Sequence, residues 1–156
     1  MESTCNQTDF AQITEVELVY KSPIPVSHRP IIKRAEEAFV LLRAVWNHDL
    51  IEIQEECKVL LLNNGNRLLG VYHVASGAID HVSIDNRLIL ACAIKATATA
   101  LVLAHNHPSG SLQPSKGDLD ATQKLKEAAK LFDIEILDHL IITADEYVSF
   151  AEEGVL

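Results

Sequence analysis

The segment Ala104-His-Asn-His-Pro-Ser-Gly-Ser-Leu-Gln-Pro-Ser-Lys-Gly-Asp118 carries most of the information in this sequence of 156 residues. An almost wholly apolar run, 99–104, precedes it and is typical of a strand buried on both faces. His105 and His107 follow, and side chains two residues apart in extended backbone project to the same side. The spacing therefore predicts that both imidazoles face one metal ion.

Asp118 is the third candidate ligand. It stands in the first turn of a helix predicted over 115–132, and the Gly- and Pro-containing loop after His107 is short enough to fold back. A His, His, Asp set suits Zn²⁺ in a catalytic site, because the fourth position is left to water. Zinc lowers the pKa of such a water to about 7. We therefore predict one zinc ion per chain, held by His105, His107 and Asp118, with water as the nucleophile.

A structural interpretation of the same residues stays open. Ser115 and Asp118 also match a capping box, in which a serine caps a helix and an acidic residue three positions on completes it. His105-Asn-His107 could equally be a polar loop. Capping alone, however, does not explain why the His-x-His pair, the two prolines and the Ser and Asp occur together.

Helices and strands interleave along the rest of the chain. Three predicted helices are amphipathic, and the first covers residues 32–48. The second is capped by Asp85 and runs to about Thr97, with Leu88, Ala91 and Cys92 at helical spacing. The third covers 115–132, with Leu125, Ala128, Ala129 and Phe132 at helical spacing. The predicted strands are 13–20, a hairpin 57–62 and 67–74 around Asn-Asn-Gly-Asn, 99–104, 134–143 and 147–150. Residues 22–30 hold three of the five prolines and form an extended connector. The pattern predicts an α/β fold with a mixed sheet and helices packed over it.

Composition narrows the classes of function. The formal charge is −9 and no run of Lys or Arg occurs, so nucleic acid is disfavoured as a partner. Three scattered cysteines argue against a disulfide framework and a thiolate metal cage, and suit a reducing cytoplasm. No stretch approaches the ~18 consecutive apolar residues of a membrane span. We expect a soluble cytoplasmic protein without a membrane partner.

The residues quoted above resemble a known superfamily. His105-x-His107, seven residues, Ser115, two residues and Asp118 is similar to the signature of the JAMM domains, also called MPN+ or JAB. The chain resembles the RadC branch over about residues 25–153. The motifs that carry this resemblance are His-Asn-His-Pro-Ser-Gly and Pro-Ser-x-x-Asp, with Leu-Asp-His-Leu-Ile-Ile downstream. The resemblance implies a three-layer α-β-α, cytidine-deaminase-like fold in which the two His and the Asp bind zinc. It divides the chain into a segment 1–24 and a RadC-like domain 25–156.

The resemblance also implies two catalytic residues. Ser115 would donate a hydrogen bond to the reacting oxyanion, and a Glu on an upstream strand would act as general acid and base. We assign that Glu to Glu55, two residues before Cys57, where relatives usually have an aromatic residue. Glu56 is the rival, and strand alternation cannot choose because the run after it is apolar on both faces. His139 could support the site through a hydrogen bond, although a core histidine with satisfied nitrogens is favoured.

These features predict a zinc-dependent hydrolase that cleaves an amide bond in a peptide or protein by metal-activated water. The alternative is a RadC-like accessory protein in DNA repair or nucleic-acid processing without peptidase turnover. Many RadC relatives carry an N-terminal helix-hairpin-helix region, and the Pro-rich residues before the first predicted helix are too few to supply one. A zinc nucleobase deaminase needs H-x-E with P-C-x-x-C, and neither motif is present. Substrate identity and oligomeric state stay open.

Overall fold

The computed structural model describes residues 19–156 as an α/β domain. A short 3₁₀ turn at Val26–His28 precedes three helices and five strands. The helices are α1 (Ala35–Val45), α2 (Asn86–Lys95) and α3 (Lys116–Lys130), and the strands are β1 (Glu56–Leu62), β2 (Leu68–Ser76), β3 (Ala100–Asn106), β4 (Glu135–Ile142) and β5 (Tyr147–Ser149). In the part of the chain from 19 onward, no helix combines the length and the apolar character that a membrane crossing needs.

The five strands form one mixed sheet in the order β2-β1-β3-β4-β5. β3 and β4 run parallel and are connected by α3, whereas the other neighbouring pairs are antiparallel. This confirms the predicted mixed α/β sheet. The parallel pair at the centre is buried on both faces, as its apolar sequence requires.

Side chains of the central strands alternate between two apolar cores. Odd-numbered residues such as Leu101 and Leu103 pack with α2 and α3, and even-numbered residues such as Val102 and Ala104 pack with α1. The sheet is therefore covered on both faces. His105 continues the odd-numbered series, so its side chain belongs to the face that carries α3.

The predicted hairpin is confirmed, with its chain reversal between Leu62 and Leu68. Asn63 holds the turn, because its Oδ1 accepts the backbone N–H groups of Gly65 and Arg67 at 2.9 and 3.0 Å. Asn66, not Gly65, adopts the positive φ of 54°. Asparagine tolerates this conformation better than other side chains do.

Several predicted boundaries and faces need correction. The first helix begins at Ala35 instead of residue 32, because Glu37 accepts the N–H groups of Lys33 and Arg34 and fixes the helix start there. The second helix is capped by Asp85 as predicted, but the stripe led by Leu88 was wrong: its buried residues are Ile89, Leu90 and Ala93. The tertiary contacts of α2 with β2 and α3 set this face.

In α3 the stripe was partly right. Leu125 and Ala129 are buried, whereas Phe132 lies beyond the end of the helix and is 52% exposed. The polar residue Thr122 is buried on the same face of α3 as Leu125 and Ala129. The predicted strand 13–20 falls almost entirely outside the described residues, and Val19 and Tyr20 have no regular structure.

Candidate metal centre

The structure brings the three predicted ligands together at the carboxyl end of β3. The Nε2 atoms of His105 and His107 lie 3.0 Å apart. Asp118 places Oδ1 at 3.3 Å from Nε2 of His105 and Oδ2 at 3.8 Å from Nε2 of His107. One ligand atom from each residue lies within 4.8 Å of the others, so the group could hold a metal ion.

Local structure explains why these side chains converge. His107 extends the β3–β4 pairing by donating its backbone N–H to the carbonyl of Ile142 at 3.1 Å, so the strand geometry continues through both histidines. The chain then turns at Gly110, whose φ is +77°, a conformation that glycine adopts without steric cost. A capping box at Ser115 begins α3 and fixes Asp118 in its first turn.

The proton positions on these ligands fit a bound cation. Nδ1 of His107 lies 2.7 Å from the carbonyl oxygen of Ser111, which can only accept a hydrogen bond. The ring proton of neutral His107 is therefore on Nδ1, and Nε2 presents a lone pair toward the cleft. Asp118 also presents lone pairs there. The lone pairs of His107 and Asp118 face each other at 3.8 Å, and a positive charge between them would remove their repulsion. Two nitrogens and one carboxylate oxygen suit zinc.

Burial keeps His105 and His139 neutral. His105 is 1% exposed, and desolvation lowers its pKa to about 4, with the Asp118 carboxylate opposing the shift and His107 adding to it. Desolvation also lowers the pKa of His139 well below its ordinary value, and the neighbouring histidines act in the same direction. Neutral imidazole is the form that binds metal ions.

His139 proves to be more than a core residue. It is fully buried, as the favoured interpretation expected, and its Nε2 also lies 2.7 Å from Nδ1 of His105. It reaches the site from β4, which runs parallel to β3 and pairs His139 with Leu103. Sequence spacing does not reveal this contact, because 34 residues separate the two histidines.

The two candidate glutamates lie in different environments. Glu55 lines the cleft beside the three ligands and is 8% exposed. Glu56 contacts Nζ of Lys58 at 2.9 Å, and Lys58 in turn lies over the ring of Trp46, in contact with the core that contains α1. The structure therefore brings Glu55, and not Glu56, to the ligands.

The surroundings of Glu55 shift its pKa. Burial raises the pKa of Glu55, with His107 opposing the shift and the Asp118 and Asp80 carboxylates adding to it. Its backbone is fixed on both sides, because its N–H donates to the carbonyl of Ala78 at 2.8 Å and its carbonyl accepts the N–H of Gly77 at 2.7 Å. A carboxyl of raised pKa on a fixed backbone is suited to exchange protons with a substrate.

Asn106 supports the candidate site, and the sequence interpretation did not identify this role. It is fully buried; its Oδ1 accepts the N–H of Glu56 at 2.7 Å, and its Nδ2 donates to the carbonyls of Ile51 and Gln54 at 2.7 and 2.9 Å. These bonds tie the segment that carries Glu55 to the strand that carries the histidines. Strand alternation gives the signal, because the residue between two cleft-facing histidines must face the other way.

Ser115 caps α3 and also lines the cleft. Its Oγ accepts the N–H of Asp118 at 3.2 Å, and its backbone N–H donates to Oδ2 of Asp118 at 2.7 Å, which completes the capping box. In the cap the hydroxyl acts as an acceptor, so its own proton stays available to a group in the cleft. Ser115 lines that cleft.

The cleft around the ligands has a volume of about 610 Å³ and an acidic lining. Its charged side chains are carboxylates, and no Lys or Arg occurs among the described residues that line it. The carboxylates belong to Glu52, Glu55, Asp80 and Asp118. Ile79, Val82 and Ile84 add an apolar surface to the lining of the cleft.

Fold and site together define an α/β domain with a His, His, Asp group at the end of a central strand, the arrangement expected of a JAB-type domain. The family described as the RadC-like JAB domain matches residues 30–155. This chain belongs to the RadC family.

Two similar bacterial proteins are both described as UPF0758 proteins. A UPF0758 protein of Flavobacterium johnsoniae is 39% identical over 132 residues, which cover 79% of this chain and 58% of the relative. A UPF0758 protein of Porphyromonas gingivalis is 44% identical over 104 residues, which cover 66% of this chain and 46% of the relative. The chain thus spans about half the length of these curated relatives.

Proposed function

We propose that this domain is a zinc-dependent hydrolase of the JAMM type that cleaves amide bonds in a peptide or protein. The convergence of one potential ligand atom each from His105, His107 and Asp118 is the observation that carries the proposal, because the group could hold a divalent cation. Each chain would hold one zinc ion. A His, His, Asp set leaves a coordination position for water, as hydrolytic zinc sites require.

Zinc at this place supplies a Lewis acid and lowers the pKa of water. Glu55 accepts the proton that the attacking water loses and returns it to the leaving amine nitrogen. Its raised pKa favours the first transfer, since a more basic carboxylate accepts a proton more readily than an ordinary one.

Ser115 donates the hydrogen bond that stabilises the oxyanion of the amide as the carbonyl carbon becomes tetrahedral. The capping box holds this hydroxyl in place before substrate arrives, so little reorganisation accompanies the reaction. Such a donor contributes about 3 kcal/mol to barrier lowering in a preorganised site.

The charge of the cleft supports a peptide over a nucleic acid. Four carboxylates line it, and a phosphodiester backbone would be repelled from them without compensating Lys or Arg. Extended peptide carries no backbone charge, and the apolar wall at Ile79 and Val82 offers contact to its side chains. An accessory activity on DNA therefore lacks support from the site itself.

Asp118→Asn tests the proposal, with Asp120→Asn, on the same helix, as the matched control. Zinc content after metal loading is measured, and zinc affinity is measured by competition with a chromogenic chelator. We expect about one zinc per chain in the wild type and the control, and a large loss of affinity in Asp118→Asn because one of three protein ligands loses its charge. Zinc retention by Asp118→Asn at wild-type affinity would refute the ligand assignment.

Hydrolysis is tested with a pool of fluorescence-quenched peptides. We expect zinc-dependent cleavage that a chelator abolishes. A fully zinc-loaded domain that cleaves no peptide but binds DNA with a strong dependence on salt would favour the alternative accessory function.

A further inference from the structure

A chain of buried hydrogen bonds leads from His105 away from the cleft. Nδ1 of His105 lies 2.7 Å from Nε2 of His139, and Nδ1 of His139 lies 2.6 Å from Oγ1 of Thr122. Oγ1 of Thr122 lies 2.6 Å from the backbone carbonyl of Asp118, one helical turn earlier. His139 is 0% and Thr122 is 3% exposed, so water does not compete for these contacts.

The last contact fixes the direction of every proton in the chain. A carbonyl only accepts, so the hydroxyl of Thr122 donates to Asp118. That hydroxyl has no second proton, so it must accept from Nδ1–H of His139. Nε2 of neutral His139 then has a lone pair and accepts from Nδ1–H of His105. His105 in turn presents the lone pair of Nε2 toward the cleft.

We infer that Thr122 and His139 are positioning residues that set the tautomer of His105 for metal binding. The inference rests on the proposed function, since it assigns Nε2 of His105 to a zinc ion. The chain begins at a ligand, His105, and ends on the backbone of another, Asp118, so it links strand β3, strand β4 and the first turn of α3 around one site.

This arrangement prepares the site before the ion arrives. Nδ1 of His107 is bound independently to the Ser111 carbonyl, so both imidazoles present Nε2 lone pairs in the metal-free protein. Without the hydroxyl of Thr122, Nδ1–H of His139 loses its acceptor. His139 can then carry its proton on Nε2, and this forces the proton of His105 onto Nε2, the atom that a metal needs. Groups that orient metal-binding histidines typically contribute 10- to 100-fold to metal affinity.

The test compares Thr122→Val, which removes the hydroxyl at constant shape, with Thr122→Ser, which keeps it. Thr99→Val makes the same chemical change at the other end of β3 and is the matched control. Zinc dissociation constants are measured by chelator competition, and thermal unfolding of each metal-free variant checks the fold. We expect Thr122→Val to bind zinc about 10- to 100-fold more weakly, while Thr122→Ser and Thr99→Val stay close to the wild type.

Long-range ¹H–¹⁵N spectra of the metal-free protein supply a second measurement that a merely structural role would not move. We expect Nδ1–H on both His105 and His139 in the wild type, and a population with Nε2–H on His105 in Thr122→Val. Wild-type zinc affinity in Thr122→Val, or Nε2–H on His105 in the wild type, overturns the inference. If the wild type binds no zinc, the proposed function fails, and the wild-type tautomers alone decide the inference.

Discussion

Glu55 and Glu56 are adjacent in sequence, and the structure predicts opposite outcomes when each is changed to glutamine. Glu55→Gln removes the group that moves protons while keeping its shape. We expect turnover to fall about 10²- to 10⁴-fold, the usual contribution of a general acid and base. Stability should not fall, because the variant removes a charge that burial disfavours and that the carboxylates of Asp118 and Asp80 repel.

Glu56→Gln instead disrupts a buried ion pair. The side chains of Glu56 and Lys58 are 7% and 9% exposed, and their charged atoms lie 2.9 Å apart. At an effective dielectric constant of about 20 this distance corresponds to about 6 kcal/mol of gross attraction. Glutamine keeps a neutral acceptor for Lys58, so we expect a loss of about 3 kcal/mol, at the lower end for breaking a buried pair. For a domain of this size that is a fall of about 6 to 12 °C in melting temperature.

The assay combines thermal unfolding, zinc content and cleavage of the peptide pool for both variants. The crossed pattern is diagnostic: Glu55→Gln loses turnover and keeps stability, and Glu56→Gln loses stability and keeps turnover per folded, zinc-loaded molecule. Full turnover in Glu55→Gln, or loss of turnover in Glu56→Gln with an unchanged melting temperature, would refute the assignment.

Three further predictions concern stability. Asn106→Ala removes three buried hydrogen bonds and should lower the free energy of unfolding in urea by about 2 to 4 kcal/mol; an unchanged midpoint would contradict the proposed clamp. A Cβ at Gly77 would lie 2.2 Å from the carbonyl oxygen of His81, so Gly77→Ala should displace the cleft wall and cost about 1 to 3 kcal/mol by thermal unfolding, and a neutral result would show that the wall moves freely. The pKa values of His105 and His139 are lowered in the folded protein, so the unfolded chain binds more protons. The zinc-free protein should therefore lose stability as pH falls from about 6.5 toward 4. A flat profile of melting temperature against pH would argue against neutral buried rings.

The sequence predicts the convergence of His105, His107 and Asp118, because their arrangement depends on local geometry. His105 and His107 share a side by strand alternation, and Asp118 is fixed by the cap of the helix that follows. The hairpin is equally local, since Asn63 alone holds most of its turn. These features need only the order of residues along a short segment.

The features that the sequence did not predict depend on contacts between distant segments. The register of β4 on β3 brings His139 to His105. The orientation of α3 places the hydroxyl of Thr122 beside Nδ1 of His139. Likewise the buried face of α2 follows from the elements packed against it, so the choice of Leu88 over Ile89 failed. Glu55 and Glu56 could not be separated by alternation, because the partners of Glu56 come from other elements.

One consequence of the topology concerns how the activity is divided along the chain. The three ligands and the two histidine-orienting residues all lie within the single β3-α3-β4 unit, residues 100–142. Glu55 directly precedes β1, the antiparallel neighbour of β3. The hydrogen bond from the backbone N–H of Glu56 to Asn106 joins these two parts of the site. Affinity for the ion and speed of bond cleavage are thus tunable separately. Changes confined to residues 51–56 would then abolish the proposed hydrolysis and still leave the three candidate metal ligands in place.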